Sequence, residues 1–448
     1  MDDVDALVAR ANAAQLAFEE WSEQRVDALL GDIATCIADH ARELAEATVL
    51  ETGLGNVPDK TEKNRLASLG TFASLAGQRG SGVVRVDEQR QLVEIASAMG
   101  VVFGLVPRTH PVATFVFKVL IALKARNALI VSCHRQAQGV ATMTGELTRT
   151  VLEQHCAPAG LVQWVRGRTD RETTSAFMRH PGVAFILATG GEGMVRAAYS
   201  SGTPTIGVGP GNAPTWVCAD ADLDRVAEGI IASKSFDNGI VCAAESNLIV
   251  DAAIEAEFIA ALSRHGAAVL DTAESQRFSH EVFDPVDRHV RRELHGQSAG
   301  RLALVGGVLR SRPPRLIVVP ATPRDIGGPL GREKLAPVVS LFSAETDDAA
   351  IALSQRLLAS DGAGHTAIIH TALQQRINRF SHELRVSRVL VNAPGTHGSL
   401  GLGTGLPLSM TLGTGTFGGT STTDNVSFTH LLNIKRVAYA TQNSEASR

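Results

Sequence analysis

The sequence of 448 residues predicts an α/β protein built on parallel sheets. Short apolar runs alternate with helix-like segments of about ten or more residues, which is typical of βαβ units. Apolar residues make up 44% of the chain and charged residues 20%, so the chain can bury a large core. Its length fits about three domains of ordinary size or two large ones.

The first half of the chain begins with helices and continues as a βαβ series. Residues 1–50 are rich in Ala, Leu, Glu and Arg at helical spacing, which predicts amphipathic helices. The following apolar runs predict strands over residues 101–106, 127–132, 162–165 and 183–187. Helices are predicted between these strands, over residues 112–125, 136–155 and 171–179. Ligands of such a parallel sheet bind at the carboxyl ends of its strands.

The second half repeats this alternation and predicts a second α/β domain. Its apolar runs predict strands over residues 247–250, 316–319, 338–342, 366–369 and 388–391. Helices are predicted over residues 252–265, 346–359 and 372–384. Residues 266–315 are polar and irregular and receive no assignment. The glycine-dense stretch 398–419 contains interleaved Leu, Met and Phe residues, which favour a packed loop over a linker.

Composition argues against several classes of partner. The net charge is −4, aromatic residues are only 4%, and no basic stripe is present, so no nucleic-acid partner is expected. Five scattered cysteines without a CxxC motif make a disulfide framework or a metal site improbable. Basic residues interrupt the most apolar stretch, 101–131, so no membrane span is predicted. The start of the chain has no signal-peptide pattern, and a cytoplasmic location is expected.

One cysteine stands in a setting that favours chemistry. The helix-like stretch 222–234 leads into Asp237-Asn238-Gly239, a strong turn signal, and the apolar run 247–250 follows Cys242. A thiol between a loop and a strand can be presented to a cleft on a rigid support, as a nucleophile requires. A buried structural cysteine is the alternative. Glu245 can either be structural or tune this thiol.

The glycine-rich string 207–214, Gly-Val-Gly-Pro-Gly-Asn-Ala-Pro, is the second landmark. No helix opens at its last glycine, so it fails the dinucleotide-binding fingerprint. Together with the string around Cys242, it resembles the CoA-acylating aldehyde dehydrogenases, whose catalytic thiol aligns with Cys242. Further strings that match this family extend along the chain, at residues 51–55, 59–60, 63–64, 124–128, 333–338, 412–419 and 430–435.

The resemblance implies the aldehyde dehydrogenase fold. A Rossmann-like cofactor domain is expected over residues 1–215, with a hairpin at about 84–100, and a catalytic domain with Cys242 over 216–405. Residues 406–448 are expected to join the hairpin in a small oligomerisation sheet. A homodimer or homotetramer is the expected assembly.

The implied reaction converts a short-chain aldehyde, coenzyme A and NAD or NADP to acyl-CoA and the reduced dinucleotide, through a thioester on Cys242. Hydrolytic members of the family carry a glutamate base where this chain has Val208. Valine cannot take a proton, so water attack loses its catalyst and coenzyme A becomes the acyl acceptor. The alternatives are a hydrolytic aldehyde dehydrogenase, an enzyme like glutamyl-phosphate reductase, and a non-enzymatic relative that only binds nucleotide.

The resemblance also implies a set of cofactor contacts. Glu333 is expected to hold the nicotinamide ribose. The other expected dinucleotide contacts are Ser132, His134, Arg135, Gly190, Gly191, Gly209 and Gly211. Arg135 replaces an acidic position near the adenosine ribose, where a cation can accept the 2′-phosphate of NADP. A solvated surface arginine is the other interpretation of this residue.

Two residues after the first strand depart from the family pattern. His110 stands where the family has an asparagine that donates a hydrogen bond to the oxyanion, beside the Cys242 amide. A neutral histidine can also donate one hydrogen bond, and a protonated one can favour the thiolate, but a degraded site is the alternative. Arg108 can pair with an anionic tail of the aldehyde, such as a sulfonate or carboxylate. It can instead point to solvent or to the phosphates of coenzyme A.

Overall fold

A computed structural model of the protein describes residues 4–167 and 170–440. The chain forms two compact units. The first contains Met1–Ala47, Thr61–Gly207 and Val426–Arg448, and the second contains Thr48–Lys60 and Val208–Asn425. The sequence placed residues 48–60 and 208–215 in the first domain. They belong to the second unit because residue 56 contacts the loop that precedes Cys242, and residues 213–215 contribute to a strand of the second sheet.

The first unit contains a five-stranded sheet with the order β5-β4-β3-β6-β7. Strand β3 pairs in parallel with β4 and β6, and β4 pairs in parallel with β5. The predicted parallel sheet is therefore confirmed, and β7 was missed. The strands are β3 (Val101–Val106), β4 (Ala128–Cys133), β5 (Val162–Trp164), β6 (Phe185–Thr189) and β7 (Thr205–Val208).

Helices cover this sheet. Helix α6 (Pro111–Lys124) is buried along its whole length because its sequence is almost continuously apolar. In the described residues, no helix has both the length and the apolar character that a membrane span needs. The helices that begin in this unit are α1 (Val4–Glu19), α2 (Glu23–Asp39), α3 (Ala41–Thr52), α5 (Thr71–Leu75), α6 (Pro111–Lys124), α7 (Gln138–Gln154), α8 (Arg171–Arg179) and α9 (Glu192–Tyr199). Helix α4 (Val57–Arg65) begins in the second unit and ends in the first.

A second, three-stranded sheet of the first unit has the order β1-β2-β15 and is antiparallel. Its strands are β1 (Gly82–Asp87), β2 (Leu92–Ala98) and β15 (Leu432–Ala438). The predicted pairing of the hairpin with the C-terminal segment is therefore confirmed. Asn127 anchors this arrangement, because its side chain accepts from the amides of Met99 and Gly100 and donates to the carbonyl of Leu431. The family string 124–128 thus has a structural role.

The second unit contains a seven-stranded sheet with the order β10-β11-β12-β9-β8-β13-β14, and all of its pairs are parallel. Its strands are β8 (Ala213–Val217), β9 (Glu245–Asp251), β10 (Ala267–Val269), β11 (Leu316–Pro320), β12 (Val338–Ala344), β13 (Gly364–His370) and β14 (Val386–Val391). Its helices are α10 (Leu223–Ser235), α11 (Glu255–Arg264), α12 (Thr272–Val282), α13 (Ala299–Val305), α14 (Asp347–Ser360), α15 (Gln374–Glu383) and α16 (Gly395–Ser399).

The stretch 266–315, which received no assignment, contains β10, α12 and α13. Helix α12 begins with a complete capping box between Asp271 and Glu274, a signal that the sequence carried and the prediction overlooked. The predicted packed loop at 398–419 is confirmed, since Leu412 and Thr414 are buried. A Cβ atom on Gly413 would lie 2.3 Å from the carbonyl oxygen of Thr422, so no larger residue fits there.

Candidate active site

Cys242 lies in a tight loop between α10 and β9, three residues before β9 begins. Three consecutive residues of this loop have the left-handed backbone conformation: Asp237 (φ 48°), Asn238 (φ 55°) and Gly239 (φ 72°). These are the residue types that tolerate this conformation. A Cβ atom on Gly239 would lie 2.5 Å from the backbone of Ala336, so only glycine fits. The predicted turn is confirmed, and the thiol lies at the amino end of a central strand, as expected for a cysteine that precedes the apolar run 247–250.

The string 51–60 holds this loop in place. Lys60 Nζ lies 3.0 Å from Asp237 Oδ2, and both side chains are almost fully buried. The Asn56 amide donates to Asp237 Oδ1 at 3.1 Å, and the Asp237 amide donates to Asp59 Oδ2 at 2.7 Å. A Cβ atom on Gly55 would lie 1.8 Å from Asp237 Oδ1. These contacts account for the glycine and the lysine at these two positions of this chain.

The glycine-rich string lies against Cys242 from the other side. A Cβ atom on Gly211 would lie 1.7 Å from the carbonyl oxygen of Cys242, so the two backbones touch. The Gly211 amide donates to Glu333 Oε1 at 3.1 Å. The structure therefore brings Gly211, Cys242 and Glu333 together. A Cβ atom on Gly209 would meet no heavy atom within 4 Å, which leaves open space beside this string.

Burial and the neighbouring charges set the protonation states here. Burial, and then the Glu333 carboxylate, raise the pKa of Cys242 to about 12, whereas Arg388 acts in the opposite direction. Burial, and then Asp361, raise the pKa of Glu333 to about 8. Both residues keep some solvent exposure. At neutral pH the thiol of the protein alone is therefore protonated, and so is most of Glu333.

This coupling predicts a pH-dependent effect of Glu333→Gln on the reactivity of Cys242. Above about pH 8 the Glu333 carboxylate is ionised and opposes the thiolate, whereas below it the carboxyl group is neutral like glutamine. Alkylation of Cys242 by iodoacetamide should therefore be unchanged at pH 7 and about threefold to tenfold faster at pH 9.5 in the variant. Mass spectrometry of the Cys242 peptide measures the rate, and Cys156 in the same samples is the internal control. A variant that reacts no faster than the parent at pH 9.5 would contradict the assigned coupling.

Glu245 has a structural role. It is fully buried, and its carboxylate accepts one hydrogen bond from Ser233 Oγ and one from the backbone amide of Gly395, each at 2.6 Å. These bonds connect α10, β9 and α16. The pKa of Glu245 is raised by its burial, against the effect of these two donors.

Two further side chains were not predicted: Arg388, which acts on Cys242, and His365, which lies beside Arg388. Arg388 is buried, lies close enough to lower the pKa of the thiol, and donates to the carbonyl oxygens of His365 and Gly413. His365 is buried beside it, and burial followed by the Arg388 charge lowers the pKa of His365 to about 3. Within the described residues, its Nε2 is buried without a hydrogen-bond partner. The only sequence signal for this cluster was the family string 412–419, which contains Gly413.

The remaining predicted residues lie at the carboxyl edge of the first unit's five-stranded sheet. Two follow β3, three follow or end β4, and two follow β6: Arg108, His110, Ser132, His134, Arg135, Gly190 and Gly191. His110 is half-buried and begins α6, and its carbonyl oxygen accepts from the Thr114 amide at 2.9 Å. Ligands of parallel sheets bind at this edge, so the first unit presents these residues where a dinucleotide is expected.

Comparison with known proteins decides the family. Residues 1–287, which include Cys242 and Gly211, match the aldehyde dehydrogenase family. The chain belongs to this family. The fold and the family resemblance that were predicted from the sequence are therefore confirmed.

Two relatives show the range of proteins that this aldehyde dehydrogenase resembles. It is 32% identical over 446 residues to the bifunctional aldehyde-alcohol dehydrogenase AdhE of Escherichia coli K12, a match that covers 98% of this chain and 50% of that protein. It is 35% identical over 440 residues to the sulfoacetaldehyde dehydrogenase (acylating) of Cupriavidus necator, covering 97% of this chain and 88% of that protein. The chain thus spans about half the length of the aldehyde-alcohol dehydrogenases that it matches.

Solved structures are similar over the whole chain. An acetylating aldehyde dehydrogenase from Geobacillus thermoglucosidasius has a TM-score of 0.94 at 35% identity, and the match covers 98% of this chain and 96% of that chain. A propionaldehyde dehydrogenase from Rhodopseudomonas palustris has a TM-score of 0.88 at 26% identity, and the match covers 98% of this chain and 97% of that chain. The latter structure contains bound CoA and an acylated cysteine.

Proposed function

We propose that this chain is an acylating aldehyde dehydrogenase, which converts a short-chain aldehyde, coenzyme A and NAD or NADP to acyl-CoA and the reduced dinucleotide, reversibly. The observation that carries the proposal is the partly exposed Cys242, presented by a rigid loop and backed by Gly211 and Glu333. A related structure with an acylated cysteine and bound CoA supports the same chemistry.

Cys242 acts as the nucleophile in this proposal. Its thiol gives its proton to solvent water, the sulfur forms a bond to the carbonyl carbon of the aldehyde, and the electron pair of the C=O π bond moves to the oxygen, which becomes the oxyanion. Loss of hydride from that carbon leaves a thioester on Cys242. The sulfur of coenzyme A then attacks the thioester carbonyl, and the Cys242–acyl bond breaks. By the family resemblance, the Cys242 amide and a neutral His110 donate hydrogen bonds to the oxyanion.

The residues present fit a dinucleotide. A Cβ atom on Gly191 or on Gly209 would meet no heavy atom within 4 Å, so each unit leaves space for a ligand to approach its backbone. Glu333 offers a partly exposed carboxyl group, whose oxygen can accept a hydrogen bond from a ribose hydroxyl. When bound, the nicotinamide accepts the hydride. Ser132 is buried at the end of β4, whereas His134 and Arg135 are exposed on the adjoining loop.

Dependence on coenzyme A tests the proposed function. Val208 is apolar and buried, so the chain offers no base at this position to activate water. Without coenzyme A the parent enzyme should give at most one equivalent of reduced dinucleotide. Saturating coenzyme A should raise the steady rate by about a hundredfold or more. The absorbance of the reduced dinucleotide follows both phases, and chromatography identifies the product.

The control for this experiment is Cys242→Ser, which should show neither the burst nor the steady phase. Formation of free acid without coenzyme A, at a rate comparable to that with it, would refute the acylating function and favour the hydrolytic alternative. A burst with no later acceleration by coenzyme A would also refute it.

A homodimer or homotetramer is proposed as the assembly. Strand β15 pairs with β2 over seven residue pairs, and β1 forms the edge of the same sheet. Val83 and Val86 on this edge strand are 41% and 60% exposed, which gives a second subunit apolar side chains to cover. A cytoplasmic location is also proposed.

A further inference from the structure

One buried lysine of the second unit has no hydrogen-bond partner. Lys234 lies in the last turn of α10 and is only 1% exposed. Within the described residues, its Nζ atom has neither a hydrogen-bond acceptor nor an ion-pair partner in contact. Four other buried lysines each have at least one acceptor: Lys60, Lys118, Lys124 and Lys334. A buried ammonium group without a partner opposes folding, so Lys234 has a role other than stabilising the fold.

The carboxyl group on which Lys234 acts most strongly is that of Glu333. Two carboxyl groups lie within electrostatic range of Lys234, with Glu333 exerting the larger effect and Glu245 the smaller one. Both oxygens of Glu245 already accept hydrogen bonds, from α10 and from α16. Glu333, in the part of the chain that the structure describes, accepts only from the Gly211 amide at Oε1. Its side chain is partly exposed, so Oε2 is available to a ligand.

The other charges around Glu333 oppose its ionisation or are held elsewhere. Asp361 Oδ2 accepts from the backbone amide of Glu333 at 3.2 Å, which places a second carboxylate beside it. Burial, and then Asp361, raise the pKa of Glu333 to about 8, whereas Lys234 acts in the opposite direction. Burial, and then the Lys234 charge, lower the pKa of Lys334. The Lys334 Nζ atom donates to three acceptors: the carbonyl oxygens of Ser246 and Leu330 and the Asn247 side chain.

Lys234 and Glu333 titrate in the same pH range. Burial lowers the pKa of Lys234 to about 8, against the effects of Glu333 and Glu245. Below about pH 7 the pair is therefore an ammonium group beside a neutral carboxyl group, and above about pH 9 it is an amine beside a carboxylate. Around pH 8 the ammonium group and the carboxylate coexist. Removal of the Lys234 charge therefore keeps Glu333 protonated up to a higher pH.

We propose that Lys234 is a positioning residue for the reaction, whose ammonium group favours the ionised Glu333 carboxylate that accepts from the hydroxyl groups of the nicotinamide ribose. A carboxylate forms stronger hydrogen bonds than a neutral carboxyl group. The role of Lys234 rests on the proposed function, which takes Glu333 as the ribose contact. Lys234 acts through Glu333 and not by contact with the reacting atoms.

Binding of the reduced dinucleotide to the whole protein tests this role without turnover. The probes are NADH or NADPH, whichever the parent binds more tightly, and ADP, which lacks the nicotinamide ribose. Isothermal titration calorimetry at pH 8.5 should show that Lys234→Met binds the dinucleotide about threefold to tenfold more weakly than the parent. At pH 6.5, where Glu333 is protonated in both proteins, the two affinities should agree within about twofold. ADP should bind the variant and the parent equally at each pH.

A second variant separates the effect of the charge from an effect on the structure. Glu333→Gln has no carboxyl group to ionise, so adding Lys234→Met to it should change the dinucleotide affinity by less than about twofold at pH 8.5. Lys234→Met should also unfold in urea at a midpoint no lower than that of the parent, because it removes a buried charge without a hydrogen-bond partner.

Several results would overturn the role of Lys234. They are an unchanged affinity of Lys234→Met at pH 8.5, equal weakening at both pH values, weaker binding of ADP, a loss that persists in the Glu333→Gln background, and a lower urea midpoint. An active acylating enzyme with any of these results would refute this role alone. Because turnover is not measured, the expected binding in a protein that forms no acyl-CoA would refute the proposed function and leave the effect of Lys234 on Glu333 standing.

Discussion

Replacing Cys242 with serine should lower the rate of hydride transfer by at least about a thousandfold, about 4 kcal/mol of barrier, while leaving the fold unchanged. The reason is specific to this site. Burial and Glu333 already raise the pKa of the thiol to about 12, and a serine hydroxyl ionises far less readily than a thiol. A serine oxygen in this environment therefore has almost no anionic form with which to attack a carbonyl. Stopped-flow measurement of reduced dinucleotide in the first turnover isolates this step from transfer to coenzyme A.

The matched control is Cys156→Ser, which changes an exposed cysteine in the other unit and should leave the rate within about twofold. Dinucleotide binding by both variants should equal that of the parent. Mass spectrometry of the parent after aldehyde and dinucleotide should show an acyl adduct on the Cys242 peptide. A Cys242→Ser enzyme that retains activity within tenfold of the parent would show that Cys242 is not the nucleophile.

The sequence predicted the parts of this molecule that depend on neighbours along the chain. Strands such as β3 and β11 are continuous apolar runs, and their position in the core follows from that pattern alone. The loop before Cys242 was predicted for the same reason, because Asp237, Asn238 and Gly239 are the residue types that accept three successive positive φ values. By contrast, β8 contains Pro214 inside the strand, and this breaks the signal that identifies strands.

The contacts that complete the candidate site join residues far apart in sequence and leave no periodic signal. Gly55 and Lys60 meet Asp237 across about 180 residues. Arg388 influences Cys242 from the edge strand β14, and nothing in its local sequence distinguishes it from a surface arginine. The family strings marked some of these positions but not their partners. Only the folded chain shows that the string 51–60 positions the nucleophile loop.

That long-range contact predicts the second large effect. Replacing Lys60 with methionine should destabilise the second unit by about 3–5 kcal/mol, because it leaves the Asp237 carboxylate buried without its counter-ion. The same change should lower kcat, since Asp237 holds the turn that presents Cys242. Urea unfolding followed by circular dichroism measures the stability, and the rate with coenzyme A present measures the activity.

A double-mutant cycle shows whether the buried charge causes the loss. Asparagine tolerates the left-handed backbone of residue 237 and keeps an oxygen that accepts from the Asn56 amide. Adding Asp237→Asn to Lys60→Met removes the unpaired charge and should therefore recover at least about 1 kcal/mol of stability. The exposed pair between Arg42 and Glu46 provides the control, and Arg42→Met should change stability by less than about 0.5 kcal/mol. If the losses of stability in the two single variants simply add in the double variant, the two charges are not coupled. The position of the pair beside Cys242 would then not depend on charge.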